Sequence, residues 1–325
     1  MIDEYGREID YIRISVTDRC NLRCVYCMPE DGVENIPHEE ILRFDEIVRI
    51  CSVLAAQGFR KVKLTGGEPL VRRGIAGLVR EIKNVRGIEN VTLTTNGVLL
   101  ETMYDDLADA GLDALTVSLD TLDRETYRRL TRRDELDTVL HGLYAAMEEN
   151  RMQLKINCVA GETAAGDMLR VAELAKNHPV HVRFIEIMPI GLGQSCSFVG
   201  EEEIRRTLEG AFGPARPFYG VLGNGPSRYW EFDGFQGKIG FISAVSHKFC
   251  AGCNRIRLTS DGFLKTCLQY DEGENLKTIL RNGGDDAALT AAIKKAVEHK
   301  PMGHNFGQTE AFAGRESRGM SQIGG

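Results

Sequence analysis

Two groups of three cysteines are the residues in this chain with the clearest capacity for chemistry. The first thiol set consists of Cys20, Cys24 and Cys27. The second thiol set consists of Cys250, Cys253 and Cys267. In a chain without signs of secretion, clustered thiols are more typical of metal or catalytic sites than of disulfides. Structural zinc takes four protein ligands, whereas three thiolates suit an iron–sulfur cluster with one metal position open to a small molecule.

The composition favours a compact protein of the cytoplasm. Of the 325 residues, 27% are charged and 42% are hydrophobic, as in ordinary globular proteins. A formal net charge of −7 argues against nucleic acid or an anionic membrane as the main partner. The N-terminus lacks the basic and apolar regions of a signal peptide, and no run approaches the ~18 apolar residues of a transmembrane helix. We therefore expect a cytoplasmic protein with no nucleic-acid and no membrane partner.

Short β-rich runs alternate with helix-like segments from residue 11 to about 187. The predicted strands are 11–16, 61–66, 90–96, 114–120, 153–159 and 181–187. This alternation predicts βαβ units and a parallel sheet. Gly58, Gly87 and Gly111 stand just before a following strand, where a glycine commonly ends a helix.

Polar residues alternate along these strands, although parallel strands are usually apolar on both faces. The polar positions are Arg13, Ser15, Lys63, Thr65, Thr94, Asn96, Ser118, Asp120, Lys155 and Asn157. A sheet with one face in solvent would explain the pattern, but a sheet curled around a wet lumen explains it better. In such folds the active site lies at the C-terminal ends of the strands, where several of these residues stand.

The regular alternation of strands and helices ends after residue 188. A helix is predicted from about 201 to 209, and further helices at 275–282 and 285–299, with short β-like runs in between. We expect this part to extend the barrel. The predicted division is therefore a domain at residues 1–190 and an extension at 191–325.

The second thiol set stands beside two arginines. Cys253, Arg255 and Arg257 alternate along the chain, so they share one face if this run is a strand. Asp261 and Gly262 then predict a tight turn that returns the chain towards Cys267. The sequence therefore places cations and thiols on one surface.

The first thiol set resembles the signature of radical S-adenosylmethionine enzymes, which is CxxxCxxC with an aromatic residue before the last cysteine. Tyr26 is that residue here, and LTGGEP at 64–69 resembles the family's glycine-rich motif, which contacts the methionine amino group of the cofactor. Glycines at such a place allow backbone to approach a ligand closely. The resemblance implies an α/β fold, a partial (β/α)6 barrel with a C-terminal α+β extension that carries a second iron–sulfur cluster.

Both thiol sets, the run CAGCNRIR and the terminal Gly-Gly together resemble the GTP 3′,8-cyclases of molybdenum cofactor biosynthesis. The resemblance spans nearly the whole chain, from Arg13 to Gly325, and implies two [4Fe–4S] clusters and S-adenosylmethionine as cofactors. In that family a 5′-deoxyadenosyl radical abstracts H-3′ of GTP. The resulting C3′ radical attacks C8, which gives (8S)-3′,8-cyclo-7,8-dihydroguanosine 5′-triphosphate.

The resemblance assigns roles to single positions, and the two thiol sets would hold the clusters. The cofactor contacts would fall on Tyr26, Gly67, Ser118, Asn157 and Met188. The GTP contacts would fall on Arg13, Lys63, Thr94, Lys155, Arg255, Ile256 and Arg257. The catalytic residues would be Arg255, Arg257, Gly324 and Gly325. Cations on one face make sense independently, because a triphosphate needs a local basic site and arginine binds phosphate through two parallel hydrogen bonds.

The resemblance also implies partners, and two alternatives remain open. It implies an electron donor and transfer of the product to cyclic pyranopterin monophosphate synthase, and it is compatible with a homodimer. The alternatives are another radical enzyme with an auxiliary cluster, such as one that modifies peptides, and a non-catalytic zinc-binding module. Cys51, Cys158 and Cys196 stand alone and are interpreted as small buried hydrophobic residues without a role.

Overall fold

The computed structural model describes residues 1–161, 163–306, 316 and 318–324. Its strands are β1 (Tyr11–Ser15), β2 (Lys61–Thr65), β3 (Asn90–Thr95), β4 (Ala114–Ser118), β5 (Gln153–Ala160), β6 (His181–Glu186), β7 (Arg216–Phe218), β8 (Arg228–Glu231), β9 (Ile239–Ile242), β10 (Arg255–Leu258), β11 (Phe263–Lys265) and β12 (Gly273–Asn275). The six strands predicted for the barrel are confirmed, each to within two residues at either end.

Helices follow the strands in the predicted alternation. They are α1 (Phe44–Ala56), α2 (Ile75–Lys83), α3 (Leu100–Asp109), α4 (Arg124–Thr131), α5 (Leu136–Glu149), α6 (Ala165–Asn177), α7 (Glu201–Phe212), α8 (Leu276–Arg281), α9 (Asp286–Glu298) and α10 (Met320–Ile323). Gly58, Gly87 and Gly111 have φ angles of 91°, 102° and 85°, so the glycines predicted to end helices adopt the conformation that only glycine reaches easily. Within the described residues, no helix is long and apolar enough to cross a membrane.

The described strands form one sheet in the order β12-β11-β10-β1-β2-β3-β4-β5-β6-β9-β8-β7. Neighbouring strands from β10 through β1 and β6 to β9 run parallel, and an antiparallel ribbon flanks each end of this parallel part. The end strands β12 and β7 do not pair with each other. The sheet is therefore open, which confirms the prediction of a partial barrel.

The alternation of the strands separates a dry face from a polar one. Ile12 and Ile14 of β1 are fully buried in the core under the helices, whereas Arg13 between them belongs to the opposite face. In the parallel register Arg13 stands beside Lys63 on one side and Arg257 on the other. Because side chains alternate along every strand, the cations of neighbouring strands form rows across the polar face.

The part after residue 190 contributes to both edges of the sheet, because β9 pairs with β6 while β10 pairs with β1. The predicted turn at Asp261 and Gly262 is present between β10 and β11, which pair antiparallel. The structure thus places the C-terminal extension across the open side of the parallel strands. The domain boundary at residues 190 and 191 stays a prediction.

One prediction about the lone cysteines is wrong. Cys51 and Cys158 are fully buried as expected, but Cys196 is only partly buried. It lies at the end of a short turn, Gly191–Ser195, where its thiol donates to the carbonyl of Leu192 at 3.6 Å. The thiol is held by a local turn, which needs no apolar core around it.

Candidate active site

A cavity of about 570 Å³ lies against the polar face of the sheet. Both thiol sets line it, together with cations from β1, β2, β5, β6 and β10. The first thiol set lies on the loop after β1 and the second lies around the β10–β11 hairpin. Two groups that are 223 residues or more apart in the sequence, from Cys27 to Cys250, therefore face the same space.

The first thiol set sits in a tightly folded, partly buried loop. The backbone N–H of Cys27 donates to the carbonyl of Cys24 at 2.9 Å, and the amide of Asn96 donates to the thiol of Cys20 at 3.8 Å. Burial raises the pKa of all three thiols, that of Cys27 to about 12. Without a metal these groups are neutral thiols, so loading a metal–sulfur group must release their protons.

The glycine-rich motif after β2 packs directly on this loop. The N–H of Gly67 donates to the carbonyl of Thr17 at 2.7 Å, and a Cβ on Gly67 would lie 2.3 Å from the carbonyl oxygen of Arg19. Only glycine fits this close approach. Glu68 accepts hydrogen bonds from the hydroxyl of Thr95 and the N–H of Asn96, each at 2.7 Å, and burial raises its pKa to about 7.

The predicted cofactor contacts all belong to the wall of the cavity. Tyr26, Gly67, Ser118, Asn157 and Met188 all line it. The hydroxyl of Tyr26 donates to Asp120 at 2.7 Å, and burial raises the pKa of that carboxyl group to about 6. Among the described residues, the Oδ1 atom of Asn157 is buried without a hydrogen-bond partner. A buried acceptor in a cavity wall is a natural contact for a ligand donor.

The second thiol set has a different electrostatic environment. Burial alone would raise the pKa of Cys253, but the cations Lys300 and Arg255 lower it to about 7. The guanidinium of Arg255 lies over the ring of Phe249, 5.0 Å from its centroid. This set therefore lies among positive charges that favour thiolates and other anions.

Buried cations line the middle of the cavity. Burial, and to a smaller extent the charge of Arg183, lowers the pKa of Lys63 well below its usual range. The same two causes lower the pKa of Lys155 to about 7. Lys63 donates to the hydroxyls of Thr94 and Thr116 at 3.1 and 3.4 Å. Several buried like charges in one cavity repel one another, so the cavity is suited to a polyanion.

The C-terminal tail reaches the cavity cations. The guanidinium of Arg257 donates to the carbonyl of Gly324 at 2.7 Å. Gly324 has a φ of 82°, and a Cβ there would lie 2.8 Å from the hydroxyl of Thr65 and 2.9 Å from Cβ of Ser15. Ile323 anchors the tail in a small apolar cluster with Ile190 and Leu268. Gly325, which the sequence also predicts to belong to the site, lies outside the described residues.

The structure brings most of the predicted substrate residues to the cavity, with one exception. Arg13, Lys63, Thr94, Lys155, Arg255 and Arg257 all line it. Ile256 does not, because it lies between two cavity-facing arginines and its side chain is fully buried in the core. Any contact of Ile256 with a ligand would have to come from its backbone.

Residues that the sequence analysis did not assign also line the cavity, among them Arg183, Glu68 and Lys300. Arg183 pairs with Asn157 in the β5–β6 register and donates to the hydroxyl of Thr116 at 3.2 Å, so the alternation rule applied to β6 could have found it. Lys300 follows α9 and has no such pattern around it. Only the tertiary structure brings it to the second thiol set.

The donor sets fit the groups that the sequence implies. Within the described ranges, no three or more His, Cys, Asp or Glu side chains come together closely enough to hold a single metal ion. Three thiols at one end of a cavity suit a larger metal–sulfur group with an open position. The unpartnered acceptor of Asn157 in the cavity wall is available to a polar ligand.

Comparisons with known proteins agree with this geometry. Residues 14–188 match the radical SAM superfamily, and residues 180–306 match the family described as Molybdenum Cofactor Synthesis C. Crystal structures of SuiB from Streptococcus suis resemble the fold, and the one bound to S-adenosylmethionine has a TM-score of 0.62 at 17% identity over 88% of this chain and 68% of that one.

Curated relatives match over the full length. The GTP 3′,8-cyclase of Heliobacterium modesticaldum is 44% identical over 329 residues, and that of Moorella thermoacetica is 42% identical over 328 residues; in both cases all of each chain is covered. Identity at this level over complete chains, together with both family matches, leaves the peptide-modifying and zinc-module alternatives without support. The chain belongs to the GTP 3′,8-cyclase family of radical S-adenosylmethionine enzymes in molybdenum cofactor synthesis.

Proposed function

We propose that this chain converts GTP to (8S)-3′,8-cyclo-7,8-dihydroguanosine 5′-triphosphate. The observation that carries the proposal is the single cavity that joins the two thiol sets through a row of buried cations. A radical generated at one end of such a cavity can act on a nucleotide held at the other end without contact with bulk water.

The first thiol set and its neighbours bind the radical-generating cofactors. Cys20, Cys24 and Cys27 hold an iron–sulfur cluster, and Gly67, Ser118, Asn157, Met188 and Tyr26 contact S-adenosylmethionine. When bound, these cofactors supply the one-electron cleavage that makes a 5′-deoxyadenosyl radical. Asp120 fixes the Tyr26 ring through the 2.7 Å hydrogen bond. Burial raises the pKa of the Glu68 carboxyl group to about 7. This group is available to accept a hydrogen bond from the methionine amino group of S-adenosylmethionine.

The buried cations bind the triphosphate. Lys63, Lys155 and Arg13 come from three different strands of the polar face, and the lowered pKa of each reflects burial together with repulsion among neighbouring cations. A phosphate chain would remove this repulsion and accept their hydrogen bonds. Thr94 orients the ammonium of Lys63, and Arg183 adds a further cation to the same wall.

The second thiol set would hold a second iron–sulfur cluster, which would bind the guanine base. Arg255 and Arg257 line the cavity together with this set and orient the substrate. Arg257 also holds the carbonyl of Gly324, so the tail and the substrate depend on one guanidinium. A role for Gly325 and for the backbone of Ile256 remains part of the proposal.

The remaining partners follow from the reaction. A radical cleavage needs an external electron donor, and the cyclised nucleotide is passed to cyclic pyranopterin monophosphate synthase. The donor, this transfer, a homodimer and a cytoplasmic location stay predictions.

The decisive experiment is anaerobic turnover with GTP deuterated at C3′, S-adenosylmethionine and dithionite. We expect deuterium in 5′-deoxyadenosine and a product with the mass of unlabelled GTP but a different retention time. ATP in place of GTP and the Cys24→Ser variant are the controls. If 5′-deoxyadenosine carries no deuterium and no isomer of GTP forms, the proposed reaction is wrong. Iron and sulfide analysis tests the second cluster separately, with about eight rather than about four iron atoms per chain expected.

A further inference from the structure

Lys300 is a buried lysine behind the second thiol set. It is 2% exposed, and its ammonium group donates to the carbonyl of Arg255 at 3.0 Å and to the carbonyl of Thr266. These carbonyls stand two residues after Cys253 and one residue before Cys267. One ammonium group therefore joins the two chain segments that carry these ligands.

Thiols of the second set lie close to Lys300. Cys253 and Cys267 both act electrostatically on its ammonium group, and Cys253 is also a hydrogen-bond partner. Burying a lysine without a compensating negative charge is costly. Negative charge on the second thiol set would therefore balance the charge of the Lys300 ammonium group, and a metal–thiolate group carries such charge.

Arg7 extends this support to the third ligand. Its guanidinium donates to the carbonyl of Cys250 at 3.0 Å and to the carbonyl of Met302 at 3.0 Å through Nη1. Through Nη2 it donates to the carbonyls of Lys300 and Pro301 at 3.3 and 2.8 Å. Asp3 fixes the guanidinium through Nε at 2.6 Å. An arginine near the N-terminus thus ties the loop of Cys250 to the segment that carries Lys300.

We propose that Lys300 and Arg7 form a brace that positions Cys250, Cys253 and Cys267, and that the charge of Lys300 offsets the negative charge of the iron–sulfur cluster they hold. The proposal rests on the second cluster of the proposed function. Both residues act through the ligands. Groups around a metal site orient its ligands, and nearby charge sets the reduction potential of an iron–sulfur cluster.

The test compares Lys300→Met with Lys248→Met in the full-length holoenzyme. Lys248 is exposed and stands two residues before Cys250, so its variant removes the same charge close to a ligand but outside the brace. We expect Lys300→Met to lose the iron of the second cluster to a chelator about tenfold faster or more. The potential of the remaining second cluster should shift to a more negative value, because a cation that favours the reduced state is gone. Lys248→Met should match the unmodified protein in both measurements.

The first cluster of the same molecules serves as an internal control for folding. If Lys300→Met cannot be obtained with that cluster intact, Arg7→Lys replaces it, because it keeps the charge but loses the fork that reaches four carbonyls. Faster iron loss at an unchanged potential is the result expected for Arg7→Lys.

The experiment distinguishes failure of the proposed function from failure of the brace alone. If the unmodified protein binds only about four iron atoms per chain, the second cluster is absent and the proposed function fails together with the brace. If it binds about eight, and both brace variants keep the same loss rate and potential as Lys248→Met, the brace alone is wrong.

Discussion

The two thiol sets differ more in their surroundings than in their spacing. Around the first set, burial dominates. The effect of Glu68 on Cys20 exceeds the opposite effect of Arg23, and Asp120 acts on Cys24. Around the second set, Lys300 and Arg255 lower the pKa of Cys253 to about 7. Negative surroundings favour release of an electron from a metal–sulfur group, whereas cations favour bound anions. We interpret the first set as the electron-delivering end of the cavity and the second as the substrate-holding end.

The largest expected effect separates these two roles. Replacing any cysteine of the first set by Ser, for example Cys24→Ser, should abolish formation of 5′-deoxyadenosine. Replacing any cysteine of the second set, for example Cys267→Ser, should abolish cyclisation but leave slow, unproductive cofactor cleavage. Both products can be measured by liquid chromatography with mass spectrometry. Equal loss of cofactor cleavage in the two variants, with the first cluster still loaded, would contradict the division of roles.

The next effect tests whether the tail belongs to the substrate-holding end. Deletion of Gly324 and Gly325, or Gly324→Ala, should leave folding and metal content intact but reduce cyclised product by about a hundredfold, because a misplacement of about 1 Å can cost that much. Gly319→Ala is the matched control, since its Cβ would lie 3.5 Å from the carbonyl of Cys27, an ordinary contact. Turnover by the truncated enzyme close to that of Gly319→Ala would show that the tail is dispensable.

A smaller effect is expected from the arginines beside the second set. Arg255→Ala or Arg257→Ala should weaken GTP binding by about ten- to a hundredfold, which corresponds to roughly 1.5–3 kcal/mol for a charge-assisted hydrogen bond. Isothermal titration calorimetry under anaerobic conditions measures this. Arg257→Lys keeps the charge and should lose less than Arg257→Ala. Unchanged affinity in both alanine variants, with all metal bound, would remove these arginines from the site.

The smallest effect concerns pH. Burial and Arg183 lower the pKa of Lys155 to about 7, so in the free protein this cation is lost as the pH rises through 7. Bound triphosphate favours the protonated form, so GTP binding should take up a proton and weaken several-fold between pH 6 and pH 8 relative to a Lys155→Arg variant. The arginine of the variant stays charged over this pH range. The ionisation of GTP affects both proteins equally, so it cancels in the comparison. Identical pH profiles for the two proteins would show that Lys155 does not titrate at the site.

Much of the architecture could be predicted from local pattern. The alternation of β1 to β6 and the glycines at Gly58, Gly87 and Gly111 are local signals, and the structure confirms both. The alternation of Arg255 and Arg257 also predicted their common face. The partial exposure of Cys196 could not be predicted, because a lone cysteine has the same local sequence pattern in a core and in a surface turn.

By itself, the sequence determined which residues can carry the chemistry, because the spacing of two thiol sets and the period of the strands are properties of the chain. Only the tertiary structure decided which of these residues meet. The parallel register placed Arg13 between Lys63 and Arg257, the closing extension brought Arg7 and Lys300 behind the second thiol set, and the tail placed Gly324 on Arg257. Contacts between segments hundreds of residues apart depend on sheet order and packing, which no local pattern encodes.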